Sequence, residues 1–133
     1  MKKVILSCFS LFLLLGSLSG ISAQSHIPEE VIDALGRGNA TVISSYLNDN
    51  VELFVDNKND IYSKQQASKI IADFFNKNQV TGFNLIHKGD KEASCFVIGT
   101  LKTSNKNFRV YILTRKNGNK DVIQQLRIEP SND

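Results

Sequence analysis

Three consecutive runs constrain this chain more than anything else in it: ASCFVIGTLKT (residues 93–103), NFRVYILTR (107–115) and DVIQQLRI (121–128). Each is rich in β-branched and aromatic residues alternating with polar ones, the period of a strand with two different faces. The breaks between them, Ser104-Asn105-Lys106 and Asn117-Gly118, are a few polar residues long, and Asn-Gly is a strong signal for a two-residue hairpin. Links this short cannot carry a crossover, so neighbouring strands must run antiparallel. A chain containing this stretch must be built around a meandering sheet.

The turns also set an expected register. If Asn117-Gly118 forms the two-residue turn, Ile112 faces Ile123 and Phe108 faces Arg127; if Asn105-Lys106 does the same, Leu101 faces Val110. One face then carries Cys95, Val97, Gly99, Leu101, Phe108, Val110, Ile112 and Ile123, and ends in Gln125 and Arg127. The other carries Phe96, Ile98, Arg109, Tyr111, Leu113 and Leu126, with Thr100, Lys102, Arg115, Val122, Gln124 and Ile128 among them. The first is the better core. On it Gln125 and Arg127 are conspicuous, because a buried Arg is expensive unless paired. Either they line a pocket that opens at one end of the sheet, or a carboxylate from the helices satisfies Arg127. The second face is too apolar for an antiparallel sheet to leave in water. A second copy of the same face covers it most simply, so the expectation is a homodimer through the sheet.

Upstream, Pro28-Glu29-Glu30 begins a short helix with acids at the positive end of its dipole. Ile27, Val31 and Leu35 form its apolar face, and Gly36-Arg37-Gly38 ends it. Asn39 caps a second helix carrying Ile43, Tyr46 and Leu47. Residues 51–56 alternate as a strand, and a turn over Asp56 to Asp60 leads to Ile61-Tyr62. That turn resembles a calcium loop only superficially, since Lys58 takes a ligand position and Ile61 replaces the turn glycine. Ser63 and Gln66 form a capping box for a long helix over Lys64 to Asn76, whose Ala67, Ile70, Ile71, Phe74 and Phe75 make a full amphipathic stripe. A strand over Phe83 to His87 and a Lys88-Gly89-Asp90 turn precede the meander.

The first residues, Met-Lys-Lys and an apolar run to Leu15, followed by small residues up to Ala23, fit a signal peptide over residues 1 to 23. Cys8 lies inside the apolar run without a small-residue box around it, which argues against an acylated lipoprotein. The expectation is an exported protein, periplasmic or secreted, with residues 24 to 133 as one domain and no membrane span after the signal is removed. Only Cys95 then remains, a small buried hydrophobe in a strand with no charge beside it to activate it.

The chain carries 16 Lys plus Arg against 13 Asp plus Glu, and the signal takes two of the bases, so nothing points to nucleic acid or an anionic membrane. The distribution is uneven: residues 93–120 hold six bases and no acid. That is a solvated cationic strand face or, alternatively, an anion-binding surface.

Two short helices, a hairpin, a long helix and a bent antiparallel meander together resemble the nuclear transport factor 2-like, or cystatin-like, superfamily. More narrowly, Gly38-Asn39-Ala40, Tyr62-Ser63-Lys64, Phe74-Phe75, His87-Lys88-Gly89, Ile98-Gly99-Thr100-Leu101, Arg109-Val110-Tyr111-Ile112-Leu113 and Ile123-Gln124-Gln125-Leu126-Arg127-Ile128 resemble a small exported bacterial family, domain of unknown function 4783. The resemblance implies an α+β fold with N-terminal helices and one long helix packed on a strongly curved antiparallel sheet. It also implies a cone between the long helix and the sheet, an active site in some members and a binding or dimerisation surface in others.

For the cone, His87, Tyr62, Gln125 and Arg127 are the candidate ligand-binding residues. Enzymes of this fold use carboxylates or His in an apolar wall for proton transfer, and strands 93–120 contain no carboxylate. Two distant His and one Cys do not make a zinc site, no phosphate loop, nucleophile elbow or HExxH is present, and no cofactor is implied. The reading is a non-catalytic module of the cell envelope that binds a small molecule or a protein partner. Its alternative is a lyase, isomerase or hydrolase using His87, Tyr62 and Arg127 in the cone; a third is a purely structural dimer.

Overall fold

The computed structural model describes residues 26–132; the signal-peptide reading of residues 1 to 23 lies outside them. The elements in chain order are α1 (Glu29–Arg37), α2 (Ala40–Ser45), β1 (Leu47–Val55), β2 (Lys58–Ser63), α3 (Lys64–Lys77), β3 (Val80–Lys91), β4 (Ser94–Thr103), β5 (Asn107–Asn117) and β6 (Lys120–Pro130). The expected α+β architecture is present, with helices packed on one sheet. No helix among the described residues is long and apolar enough to cross a membrane.

The helix ends follow local chemistry. Gly38, left-handed at φ 65°, ends α1, and the Asn39 side chain accepts from Val42 N at 3.1 Å to start α2. The Ser63 hydroxyl accepts from Gln66 N at 3.2 Å at the head of α3. Of the α3 stripe, Ala67, Ile71 and Phe74 are fully buried, while Ile70 and Phe75 flank the core half-exposed. The Phe74 ring meets Phe108 of β5 edge-on at 4.9 Å. Burying Ile71 and Phe74 contributes about 1.5–3 kcal/mol each, enough to hold α3 against the sheet.

The sheet has six strands in the order β2-β1-β6-β5-β4-β3. It is mixed, which corrects the expectation of an antiparallel sheet: β1 runs parallel to β6, Leu53 beside Leu126 and Val55 beside Ile128. A parallel pair needs a long crossover, and here α3 and four strands supply it. Short-turn signals report only hairpin neighbours, so this pairing left no local trace. Lys88-Gly89-Asp90 is also not a turn; β3 continues through it, and the reversal falls at Glu92-Ala93, with Glu92 at φ 55°.

The β5–β6 register differs from the expected one in a way that matters. Asn117 pairs with Lys120, so Gly118 and Asn119 occupy the turn. Near the turn Ile123 faces Thr114, and beyond it Gln125 faces Leu113 and Leu126 faces Ile112. Gln124 is the extra residue of a β-bulge, and one inserted residue exchanges the faces of everything beyond it. Leu126 and Ile128 therefore enter the core, at 0% and 1% exposure. Gln125 and Arg127 turn to the opposite face. Leu126 as an outer-face residue, and Gln125 and Arg127 as core-face residues, are thereby corrected. The remaining core residues, Cys95, Val97, Leu101, Phe108, Val110, Ile112 and Ile123, are buried as the alternation predicts.

Candidate functional site

The face of the sheet away from the core is organised in rows running across the strands. One row sets His87, Ile98, Tyr111, Arg127 and Phe54 side by side on β3, β4, β5, β6 and β1. The next sets Gly89, Phe96, Leu113, Gln125 and Glu52 along the same five strands. The rows interlock: the His87 and Phe96 rings lie 5.5 Å apart, and Phe96 and Tyr111 stack at 6.1 Å. The Arg127 guanidinium sits 5.0 Å from the Phe54 ring centroid and donates to Glu129 Oε1 at 2.7 Å. Gln125 Nε2 donates to Glu52 Oε1 at 2.7 Å. Apolar side chains here are half-buried by their neighbours.

Three of the four residues assigned to the cone, His87, Gln125 and Arg127, thus share the outer face, but only Gln125 and Arg127 are neighbours; His87 is three strands away on β3. The carboxylate that satisfies Arg127 comes from its own strand, not from the helices. Tyr62 lies apart, on β2 opposite Val51 and packed against the core. Since β2 and β3 are opposite edges of the sheet, His87 and Tyr62 cannot converge on one substrate. Sequence reasoning missed Phe54, Glu52 and Glu129. Phe54 alternates with the buried Val55, but only the parallel β1–β6 pairing brings it to Arg127.

Beneath α3 the space is filled by the packed core described above. An open cleft of about 370 Å³ lies elsewhere, between α1 and β3 with β4 behind. Its floor is Ile27, Ile32, Leu85 and Val97, and its rim carries Glu29, Asp33 and Lys88. Asp33 also pairs with Arg37 one turn along α1 at 3.3 Å.

Among the described residues, activated nucleophiles and metal ligands are not assembled. Burial pushes the Cys95 thiol up to about 11, and a hydrogen bond with the Asp90 carboxylate adds to the shift, the reverse of what a reactive cysteine needs. The Tyr46 phenol is also raised, first by its hydrogen bond to Glu30 at 2.5 Å and then by burial. Among the described residues no group of three His, Cys, Asp or Glu could hold a metal ion.

Comparison with known proteins bears on family and fold. A family model described as "Domain of unknown function (DUF4783)" matches residues 28–129. A DUF4783 family protein from Bacteroides ovatus is 42% identical, with a TM-score of 0.77 over 80% of this chain and 97% of that one. One from Bacteroides uniformis is also 42% identical, with a TM-score of 0.76 over 81% of this chain and 100% of the other. A variant of the protein Rd1NTF2_05, 16% identical, matches with a TM-score of 0.60 over 75% of this chain and 90% of its own; at that identity the likeness concerns the fold alone. No curated protein matches.

Proposed function

Since the chain belongs to the DUF4783 family, whose fold admits both enzymes and binding proteins, we propose that it is a non-catalytic binding module of the cell envelope, exported by its N-terminal signal and paired with a second copy through the outer face of its sheet. The observation that carries this reading is the five-strand row His87, Ile98, Tyr111, Arg127 and Phe54 with the Phe96 row beside it. A two-fold axis apposes a surface with itself, so a self-complementary face must offer partners for its own groups. This one carries Arg109 and Arg127 together with Glu52 and Glu129, around an apolar centre of Phe96, Ile98, Tyr111 and Leu113. The opposite-edge placement of His87 and Tyr62, and the inert Cys95, support the absence of catalysis.

Sedimentation of protein recovered from the envelope fraction tests the pairing. The expected species is a dimer at tens of micromolar that Tyr111→Glu converts to a folded monomer; a monomer in the unaltered protein under those conditions would end this reading. Intact mass of the same material checks export, with cleavage expected after Ala23.

A further inference from the structure

The cleft between α1 and β3 has the construction of a small-molecule site, and nothing in the sheet-face reading uses it. Its floor is aliphatic throughout: Ile27, Ile32, Leu85 and Val97, with no aromatic ring. Leu85 is 49% exposed, although it lies on the core-facing side of β3 opposite Gly99. A large apolar side chain left open on an otherwise covered face marks a place where the chain's own helices stop short. The two walls carry opposite charge. Glu29 and Asp33 stand one turn apart on α1, and Lys88 comes from β3. Asp33 is already engaged by Arg37 at 3.3 Å, and Asp90, beside Lys88 on β3, is engaged by the Cys95 thiol, which leaves Glu29 as the carboxylate of the α1 wall opposite Lys88. The volume, about 370 Å³, falls at the small end of the range for ligand pockets, about 300–1,000 Å³.

The geometry points to a site for a small aliphatic zwitterion, an amino acid or dipeptide with a branched apolar side chain. Its ammonium pairs with Glu29, its carboxylate pairs with Lys88, and its side chain covers the exposed Leu85. The inference rests on the reading of the protein as a binding module but not on its self-association.

Three probes sharing one isobutyl body test it by calorimetric titration of the full exported protein: L-leucine, L-leucinamide and 4-methylpentanoate. Leucine is expected to saturate the protein at millimolar concentration, with both single-charge analogues about tenfold weaker, since one charge-assisted contact is worth roughly 1.4 kcal/mol or more. Glu29→Gln and Lys88→Gln, both at exposed positions, should each weaken leucine about tenfold. No saturation by leucine, equal binding of either analogue, or indifference to both substitutions overturns the site. Two controls separate this from the broader reading. Leucine should be recovered chemically unchanged, and its consumption would overturn the non-catalytic module while leaving the site in place. Tyr111→Glu should still bind leucine as a monomer, and loss of binding on dissociation would overturn a cleft built by one chain alone; an unaltered protein that binds leucine as a monomer would count against the dimer and for the cleft.

Discussion

The two faces of this one sheet solve the burial problem in different ways. On the inner face Val97, Leu101, Val110, Ile112 and Leu126 are all at zero exposure, covered by the chain's own helices. On the outer face Phe96, Ile98, Tyr111 and Leu113 are half-buried, shielded sideways by each other and by Arg127, Gln125 and Glu52. An inner face of this kind depends on shape, because a close-packed interior leaves no room for error. The outer face depends on local pairing, which can exchange water for a partner without refolding. The two solutions meet in β6, where a single extra residue, Gln124, decides which side chains belong to which.

That boundary is where the comparison breaks most easily. Leu126→Ala should cost about 2–5 kcal/mol in denaturant unfolding, the penalty for truncating a fully buried Leu. Its neighbour Arg127→Ala, which removes an ion pair with side chains 43% and 39% exposed, should cost less than about 1 kcal/mol. The reverse order would mean that the bulge is absent and that β6 sits in the register its turn alone implies.

The same bulge explains how much of the molecule could be read in advance. The helices, their caps at Asn39 and Ser63, and the buried alternation of β4 and β5 were legible because each is fixed by residues a few positions apart. The inner assignment of Ile123 survived, although the turn sits one position later than expected. Leu126 and Arg127 were exchanged because a bulge carries no turn residue and no break in composition; Gln124-Gln125 looks like any polar pair. The candidate sites suffered most. Arg127 finds its carboxylate in Glu129 and its ring in Phe54, and the second of these depends on a parallel pairing between segments at opposite ends of the domain. The α1–β3 cleft was equally hidden, because it exists only where α1 stops covering an edge strand.

Cys95 tests the inner face by titration. In the unfolded chain the thiol ionises near its usual value of 9.0, and in the folded protein burial holds it protonated up to about 11. Between those values the unfolded state binds fewer protons, so stability falls as pH rises. The contribution is fully present below about pH 9 and lost by about pH 11, on the order of 2 kcal/mol in all. Tyr46 shifts in the same direction, so the informative comparison is with Cys95→Ala, whose unfolding free energy should decline less over this interval. Equal declines would mean that the thiol reaches solvent and that this end of the inner face is open.

Two glycines give the closest matched test, because each lies under an aromatic ring on a different face. A Cβ at Gly99, on the inner face, would come within 2.2 Å of the Phe83 ring and 2.7 Å of the Asn84 carbonyl oxygen. The ring could move, but the oxygen belongs to the paired strand β3, so Gly99→Ala should cost about 1–3 kcal/mol through overpacking. At Gly89, on the outer face, the nearest atoms all belong to the Phe96 ring, the closest at 2.3 Å. That ring can swing off a half-open surface, so Gly89→Ala should change stability by no more than about 0.5 kcal/mol. Displacing Phe96 would nonetheless disturb its stack with Tyr111 and its contact with His87. The variant should therefore unfold like the parent yet sediment as a weaker dimer. If it loses as much stability as Gly99→Ala, the outer face is packed as rigidly as the inner one and is not a surface held ready for a partner.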